Sequence, residues 1–404
     1  MKTVILIFLV ALVSCKNKAE FKTGIWRATI PTKGGELPFS LDIQKEGENY
    51  KVIVINGDEK LMMDKSFIKD DSLHIPMEIF DSEIVAKVEE EQLIGYWKKM
   101  RSDFSFLKAD FKAQFGQTFR FSESKATTNA SLSNKYNVLF LSEDKQDSTV
   151  SVGVFETKGN EVTGTFLTTT GDYRYLAGDI IGDSLKLSCF DGTHAFLFKA
   201  KIEGDKLMGG FWSGPTSYES WTAIKDENAK LPDETTLTYL KEGYKTIDFS
   251  FKNTANKSIS LKDEQYKGKV VVVQIMGSWC PNCMDESRFL APWYKKNKDR
   301  GVEVIGLSYE KSTDTTFAYP KVKKMKERFG IDYEVLLAGT NNKDEASKTL
   351  PMLNKVIGFP TTIFIDKKGQ VREIHTGFSG PGTGKYYDTF VSDFNRLIDK
   401  LLNE

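Results

Sequence analysis

Hydrophobic and polar positions follow one pattern in the first half of the chain, where they mark many short strands. Residues 51–55 alternate and run into Asn56-Gly57, a pair that tolerates positive φ and favours a hairpin turn. Similar alternation covers 185–188 and 195–202, and between about residues 21 and 223 convincing helical periodicity is absent. The pattern predicts an all-β region that is barrel- or sandwich-like.

Short motifs recur in this region in the same order, roughly a hundred residues apart. Such a recurrence predicts two related β units, over residues 16–115 and 116–229, although similar hairpins can also match by chance. A linker is expected at 230–243, where the strand pattern lapses. The repeated pieces are Asp71-Ser72-Leu73 with Asp183-Ser184-Leu185, Phe80-Asp81-Ser82 with Phe190-Asp191-Gly192, and Trp97 with Trp212.

After residue 244 the pattern changes class. Residues 269–276 are almost continuously apolar, with Gln274 the polar exception, as is typical of a strand buried on both faces of a parallel sheet. Another buried strand is expected at 302–307, followed by helices at 321–329 and 345–355. Two more strands and a final helix with an apolar stripe complete the alternation. The pattern predicts an α/β domain with a mixed sheet over residues 244–404.

The first fifteen residues have the features of a secretory signal. A lysine precedes a short apolar run, which is too short to span a bilayer. Leu12-Val13-Ser14-Cys15 resembles a bacterial lipobox, whose cysteine becomes the lipidated first residue of the mature protein. We therefore expect residues 1–15 to be a lipoprotein signal peptide and Cys15 to anchor the protein to a membrane, facing the periplasm. A plain signal peptide is the alternative.

Composition narrows the possible functions. The chain has 404 residues, enough for two or three domains, and its 56 basic and 56 acidic residues cancel. The balance leaves no net positive charge for binding nucleic acid. With four cysteines and three histidines, the chain is neither a small disulfide scaffold nor a His-rich metal protein.

Cys280-Pro281-Asn282-Cys283 directly follows a predicted strand and opens a predicted helix. A thiolate at a helix N-terminus is stabilised by free N–H groups and the helix dipole. Pro281 suits the first helical position, which needs no N–H. We expect Cys280 to be the exposed attacking sulfur and Cys283 to resolve the mixed disulfide. One alternative for this motif is half of a zinc site, but the sequence has no further clustered ligands, so no metal is expected. A permanently closed structural disulfide is the second alternative.

From residue 244 onward the chain resembles the TlpA/ResA-like branch of the thioredoxin superfamily, whose members are extracytoplasmic thiol-disulfide oxidoreductases. Each matching piece alone is modest evidence, but the ordered set is specific. The pieces are Asp248-Phe249, Leu261, 267–271, Gly277-Ser278-Trp279-Cys280-Pro281-Asn282-Cys283, 358–366 and Gly369.

The resemblance implies a substrate-binding group around the cysteines. Pro360 matches the cis-proline that faces the active-site disulfide, and the backbone of Phe359 would pair with an extended substrate segment. Trp279 would pack beside the disulfide and shape the docking surface together with Pro281. An ordinary turn at Pro360 is the alternative.

The resemblance also implies an acid–base residue. Glu286 lies one helical turn after Cys283, where the family carries a glutamate that shuttles the proton of the resolving thiol. Gln274 stands where ordinary thioredoxins have a buried aspartate, and an amide takes up no proton at neutral pH. The alternative is a solvated glutamate that the helix dipole favours.

These observations predict a lipid-anchored enzyme that reduces disulfides of extracytoplasmic proteins, is re-reduced by a membrane electron donor and needs no cofactor. One alternative is a thiol peroxidase of the peroxiredoxin type. The Pro-x-x-x-Thr-x-x-Cys pattern of that family is absent, because Val273 stands in place of its proline and Gly277 in place of its threonine. Another is a lipoprotein whose β region binds a ligand and whose redox domain is accessory.

Overall fold

The computed structural model describes residues 21–123 and 132–404. The predicted signal peptide and Cys15 therefore lie outside the described residues. Within the described ranges, no helix is both long and apolar enough to cross a membrane.

The first nine strands form an antiparallel sheet in which every strand pairs with its neighbours in the chain except β4 and β5, which are the two edges, and β1 also pairs with β9. The sheet is open, but the Tyr50–Ser66 bridge brings its two ends into contact. The predicted hairpin after residue 55 is present, with its two-residue loop at Gly57 and Asp58. The strands are β1 (Gly24–Thr32), β2 (Gly35–Glu46), β3 (Asn49–Asn56), β4 (Glu59–Met62), β5 (Phe67–Lys69), β6 (Ser72–Met77), β7 (Ser82–Glu89), β8 (Gln92–Met100) and β9 (Phe106–Phe115).

The next nine strands form a second antiparallel sheet, which closes into an eight-stranded barrel because β11 also pairs with β12. Aromatic side chains fill its interior, among them Phe140, Phe166 and Trp221, which are fully buried. The strands are β10 (Lys135–Ser142), β11 (Ser148–Lys158), β12 (Glu161–Thr168), β13 (Gly171–Asp172), β14 (Leu176–Ile181), β15 (Ser184–Phe190), β16 (Ala195–Glu203), β17 (Lys206–Ser213) and β18 (Glu219–Lys225).

The two sheets share one topology, since the first and last strands pair in each. Their registers also correspond, but the match of Trp97 with Trp212 is wrong by one position. Trp97 lies two residues after Gly95, and the residue two after Gly209 is Phe211. A shift of one residue places a side chain on the other face of the strand. Accordingly, Phe211 is buried, as Trp97 is. The corresponding rows are Leu73, Ala86, Gly95 and Phe111 in the first sheet and Leu185, Ala200, Gly209 and Trp221 in the second.

The barrel also contributes to the core of the first sheet. Phe190 of β15 stacks on Phe39 with ring centroids 4.4 Å apart, and it packs with the buried residues of the first sheet. The side chain of Asn56 donates to the Phe190 carbonyl (2.8 Å) and accepts from its N–H (3.1 Å). The two β units therefore share buried apolar surface and buried hydrogen bonds.

The remaining residues form the predicted α/β domain around a seven-stranded mixed sheet of order β20-β19-β23-β22-β21-β24-β25. The central strand β21 is buried along its whole length, as its apolar sequence predicted, and it pairs in parallel with β22. The elements are β19 (Ser250–Asn253), β20 (Ser258–Ser260), β21 (Val270–Met276), α1 (Pro281–Asn297), β22 (Val302–Glu310), α2 (Thr315–Phe329), β23 (Glu334–Thr340), α3 (Lys343–Thr349), β24 (Thr361–Ile365), β25 (Val371–Thr376) and α4 (Lys385–Asn403).

The helix predicted at 345–355 is shorter than expected, because α3 ends at Thr349. Pro351 disfavours a helical conformation at the residue before it. The following residues pair with the segment that leads into the domain: Leu353 forms a bridge with Leu240, and the Asn354 side chain accepts from the Tyr239 N–H (3.0 Å). With these exceptions, the fold classes predicted for the two halves of the chain are confirmed.

The α/β domain packs against both β units. On the first unit, the carboxylate of Asp81 pairs with Lys311 (3.0 Å) and with Lys321 of α2. On the barrel, the hairpin formed by β12 and β13 and the following residues reach the start of α1. The second of these contacts positions the candidate site.

Candidate active site

The N-terminus of α1 positions both cysteines. Cys280 is the N-cap residue, and its Sγ accepts a hydrogen bond from the N–H of Cys283 (3.2 Å). Pro281 occupies the beginning of the helix, where the missing N–H costs nothing. The two cysteines form a disulfide with their Cα atoms 5.2 Å apart. Cys280 is 5 % exposed and Cys283 is fully buried, so Cys280 is the more accessible of the two.

The loop before β24 faces the disulfide. Its Phe359–Pro360 peptide bond is cis, as the resemblance implied, and the Phe359 carbonyl oxygen lies 3.5 Å from Cys280 Sγ. The indole N–H of Trp279 donates to the Tyr309 carbonyl (2.8 Å), and its ring meets the Phe359 ring edge-on at 5.6 Å. The fold therefore brings the predicted substrate-binding residues together around Cys280.

Glu286 lies inside the domain with no exposed surface. Its carboxylate accepts hydrogen bonds from the Thr362 hydroxyl (2.6 Å) and the Gln274 amide (2.7 Å). The same amide nitrogen lies 3.4 Å from the carbonyl oxygen of Cys283. Burial raises the pKa of Glu286 to about 7, although the two hydrogen bonds oppose this shift. Complete burial contradicts the alternative of a solvated glutamate.

A second buried glutamate, which the sequence analysis missed, orders the turn before the cysteines. Glu310 at the end of β22 accepts hydrogen bonds from the N–H (2.9 Å) and hydroxyl (2.7 Å) of Ser278. The Ser308 hydroxyl donates to the same carboxylate (2.5 Å). Parallel pairing of β21 with β22 brings the ends of these strands together, and nothing in the local sequence of Glu310 indicates this contact.

A buried charge cluster, which no sequence pattern indicated, lies where the three folding units meet. Arg174 follows β13 and is 3 % exposed. Its guanidinium group pairs with Asp285 of α1, with Glu59 of the first sheet (3.1 Å) and with Asp191 of the barrel (3.2 Å). Burial alone would lower the pKa of Arg174, but the surrounding carboxylates raise it well above its usual value. Burial raises the pKa of Glu59 to about 7.

The same part of the barrel contacts the residues between the cysteines. The side-chain amide of Asn282 donates to the Asp172 carbonyl (3.4 Å), and its oxygen accepts from Arg174 Nη1 (3.3 Å). Gly171 passes so close that a Cβ there would clash with the Asn282 side chain. These contacts join residues that are distant in the chain, so no local sequence pattern could have indicated them.

Comparisons with known proteins agree with this geometry. A family model described as the AhpC/TSA family matches residues 243–374. Thiol-disulfide oxidoreductase ResA of Geobacillus kaustophilus is 30% identical over 145 residues, which are 35% of this chain and 74% of the relative. Thiol-disulfide oxidoreductase ResA of Bacillus subtilis is 28% identical over 159 residues, 39% of this chain and 76% of the relative.

A solved structure is also similar. The thiol:disulfide interchange protein of Chlorobium tepidum is 23% identical and superimposes with a TM-score of 0.31, covering 40% of this chain and 98% of that one. The sequence relatives and the disulfide at the start of α1 lead to the same conclusion: through its C-terminal thioredoxin-like domain, this chain belongs to the family of ResA-like thiol-disulfide oxidoreductases.

Proposed function

We propose that this protein is a lipid-anchored, extracytoplasmic enzyme that reduces disulfides in other proteins. The observation that carries the proposal is the Cys280–Cys283 disulfide at a helix N-terminus, with a protonatable glutamate buried one turn further along the helix. A thiolate at this position is stabilised by the first N–H groups of α1. The remaining residues of the site supply substrate contacts and proton transfer.

In the first half of the reaction, the Cys280 thiolate attacks one sulfur of the substrate disulfide. A bond forms between Cys280 and that sulfur, the substrate disulfide breaks, and the other substrate sulfur leaves as a thiolate that takes up a proton. The extended substrate segment pairs with the backbone of Phe359 beside Pro360, and Trp279 and Pro281 line the docking surface.

In the second half, Cys283 resolves the mixed disulfide. Glu286 accepts the proton of the Cys283 thiol, and the resulting thiolate attacks the sulfur of Cys280. The second substrate sulfur leaves, the Cys280–Cys283 disulfide forms, and the substrate has gained two electrons and two protons. A pKa of about 7 suits Glu286 to this transfer, because it can both accept and release a proton near neutral pH.

The proposed location rests on the lipobox-like sequence at the start of the chain. Lipidation of Cys15 would hold the enzyme at a membrane facing the periplasm, where protein disulfides form and persist. Each turnover leaves the cysteine pair oxidised, so a thiol-based electron donor in the membrane must reduce it again. Incorporation of labelled fatty acid into the wild-type protein but not into Cys15→Ala tests the anchor; equal labelling of both would contradict it.

Reduction of insulin by the full chain, with dithiothreitol as the electron source, tests the chemistry. We expect Cys280→Ser to abolish the reaction and Cys283→Ser to accumulate a mixed disulfide with the substrate. Equal activity of Cys280→Ser and wild type would overturn the proposal. A measured reduction potential near −270 mV would support a reductase, and one near −120 mV an oxidant.

Peroxide reduction is the second candidate function, because the matching family model is that of the AhpC/TSA family. Gly277 has no hydroxyl group to bind a peroxide at the position where peroxiredoxins carry threonine. We therefore expect little peroxide consumption by the preparation that reduces insulin. Peroxide turnover faster than insulin reduction would favour this second function.

A further inference from the structure

We infer that Arg174 of the barrel is a positioning residue for the Cys280–Cys283 turn and that the N-terminal β region acts on the redox site through it. The inference rests on the proposed role of Cys280 as the attacking thiol. It gives the β region a part in the reaction in addition to any partner that it binds.

The barrel forms hydrogen bonds with both polar atoms of the Asn282 side chain, which lies between the cysteines. Arg174 Nη1 donates to the oxygen of Asn282 (3.3 Å), and the nitrogen of Asn282 donates to the Asp172 carbonyl (3.4 Å). Gly171 is in contact with the same side chain and has φ of +146°, a conformation that glycine adopts readily. The barrel hairpin therefore fits the Cys280–Cys283 turn closely.

The hairpin is also connected to the cis-proline loop through the residues that follow β25. One carboxylate oxygen of Asp172 accepts from the backbone N–H of Arg174 (2.8 Å), and the other accepts from the backbone N–H of Gly380 (2.8 Å). The loop that contains Gly380 begins at Gly377, whose N–H donates to the Pro360 carbonyl (2.9 Å). A single segment of the barrel thus connects the start of α1 with the cis-proline loop.

Arg174 itself has little freedom to move. Its guanidinium group meets Asp285, Glu59 and Asp191, one acidic residue from each of the three folding units. A buried fork of donors fixed by several carboxylates is rigid. The position of Asn282 is consequently set by the packing of all three units.

Arg174 also controls the charge near the first turn of α1. Asp285 lies in this helix, and its other oxygen pairs with Arg288 (2.6 Å). Asp191 also pairs with His194 (3.0 Å), while Asp172 and Glu59 complete the acidic group. Without Arg174 the group would carry excess negative charge, which opposes the dipole that stabilises the Cys280 thiolate.

The test uses the full chain with Arg174→Met and Arg174→Lys. Alkylation of Cys280 by iodoacetamide is followed against pH by mass spectrometry, in the Cys283→Ser background. We expect Arg174→Met to reduce the thiolate fraction at neutral pH about tenfold. A tenfold loss of thiolate stability destabilises the reduced form by the same factor. We therefore expect the reduction potential, measured in the otherwise wild-type chain, to fall by about 30 mV. Arg174→Lys keeps the charge but not the fork, and should shift both quantities less.

Asn282→Ala keeps the inference testable if Arg174→Met does not fold, because it leaves the charge cluster intact. If Arg174 acts through Asn282, the effects of Asn282→Ala and Arg174→Lys on the potential should be clearly non-additive in the double variant. Glu78→Gln, which removes an ion pair between the first β unit and Lys324 of α2, is the control and should leave the potential unchanged.

Two results would overturn the inference: folded Arg174 variants with wild-type alkylation profiles and potentials, or strictly additive effects in the double variant. Either result leaves the proposed function standing as long as insulin reduction still depends on Cys280. Insulin reduction by Cys280→Ser would instead overturn the proposed function itself.

Discussion

Two consecutive acidic residues on α1, Asp285 and Glu286, are both buried but lie in different surroundings. Asp285 points toward the barrel and pairs with Arg174 and Arg288. Glu286 points into the α/β sheet and receives hydrogen bonds from the neutral side chains of Gln274 and Thr362. Each carboxylate is therefore satisfied, but by partners of different charge.

Two adjacent carboxylates of one helix therefore take part in different interactions. The Arg174 guanidinium ties Asp285 into a network between domains. Neutral donors compensate burial only in part, and the pKa of Glu286 therefore rises to about 7. Asp285 thus joins the α/β domain to the barrel, whereas Glu286 lies next to the resolving cysteine with a pKa suited to proton transfer.

The largest effect on stability is expected for the ion pairs on the side of α1 that faces the barrel. Arg174→Met should lower the free energy of unfolding by about 3 to 5 kcal/mol, because it leaves buried carboxylates without their partner. Denaturant unfolding of the full chain measures this change. Arg288→Ala removes a partly exposed partner of the same Asp285 and should cost less than about 1 kcal/mol. Equal losses in the two variants would contradict the distinction between buried and exposed partners.

On the sheet side, the raised pKa of Glu286 makes stability depend on pH. The folded state binds this proton more tightly than the unfolded state, so the contribution of Glu286 to stability falls as pH rises from about 4.5 through about 7. Replacing it by Gln should remove about 2 to 3 kcal/mol of the stability lost between pH 5 and pH 8. The pKa of Glu59 is also raised to about 7. Glu59 is present in both wild type and Glu286→Gln, so its contribution to the pH dependence cancels when the two are compared. An identical pH dependence in wild type and Glu286→Gln would show that Glu286 is not responsible.

The same substitution should slow resolution of the mixed disulfide about a hundredfold, since it removes the base for the Cys283 thiol. Rapid-mixing measurement of substrate release from Cys280 isolates this step, and the wild-type rate should rise through an inflection near pH 7. Asp285→Asn is the matched control on the neighbouring residue and should keep the inflection. Loss of the inflection in the control, or its survival in Glu286→Gln, would assign the proton transfer elsewhere.

A smaller effect is expected at the hydroxyl that contacts Glu286. Thr362→Val removes a hydrogen bond that lowers the pKa of Glu286, so the inflection should move to higher pH by less than one unit, corresponding to about 1 kcal/mol. Thr361→Val is the control, because its hydroxyl donates to the Gly358 carbonyl (3.0 Å) instead. A shift to lower pH in Thr362→Val would mean that the hydroxyl stabilises the protonated carboxyl.

Local sequence was sufficient to predict much of the C-terminal domain. The apolar run of β21 identifies a strand buried on both faces, and the position of Cys280-Pro281-Asn282-Cys283 directly after it predicts the start of α1. These predictions succeed because strand burial and helix initiation depend on neighbouring residues. The cis bond at Pro360 was implied by the resemblance to a known family and not by the local sequence.

Long-range contacts account for what was missed. The open form of the first sheet and the closed form of the barrel differ in one strand pairing, β11 with β12, although their strand patterns are alike. The end of α3 depends partly on Leu240 and Tyr239, which lie far earlier in the chain. The partners of Arg174 come from three folding units, so their convergence has no local sequence signal.

The sequence by itself determined the β and α/β classes of the two halves, the reactive cysteine pair and its helix, and the acidic residue one turn beyond. Tertiary structure alone decided which buried carboxylates meet a cation and which meet neutral donors. The physical reason is that periodicity and helix capping act over a few residues, whereas desolvation and charge pairing depend on every element that packs around a group. In this protein burial gives Glu286 a pKa near neutrality, and contacts between distant parts of the chain link the barrel to the residue between the two cysteines.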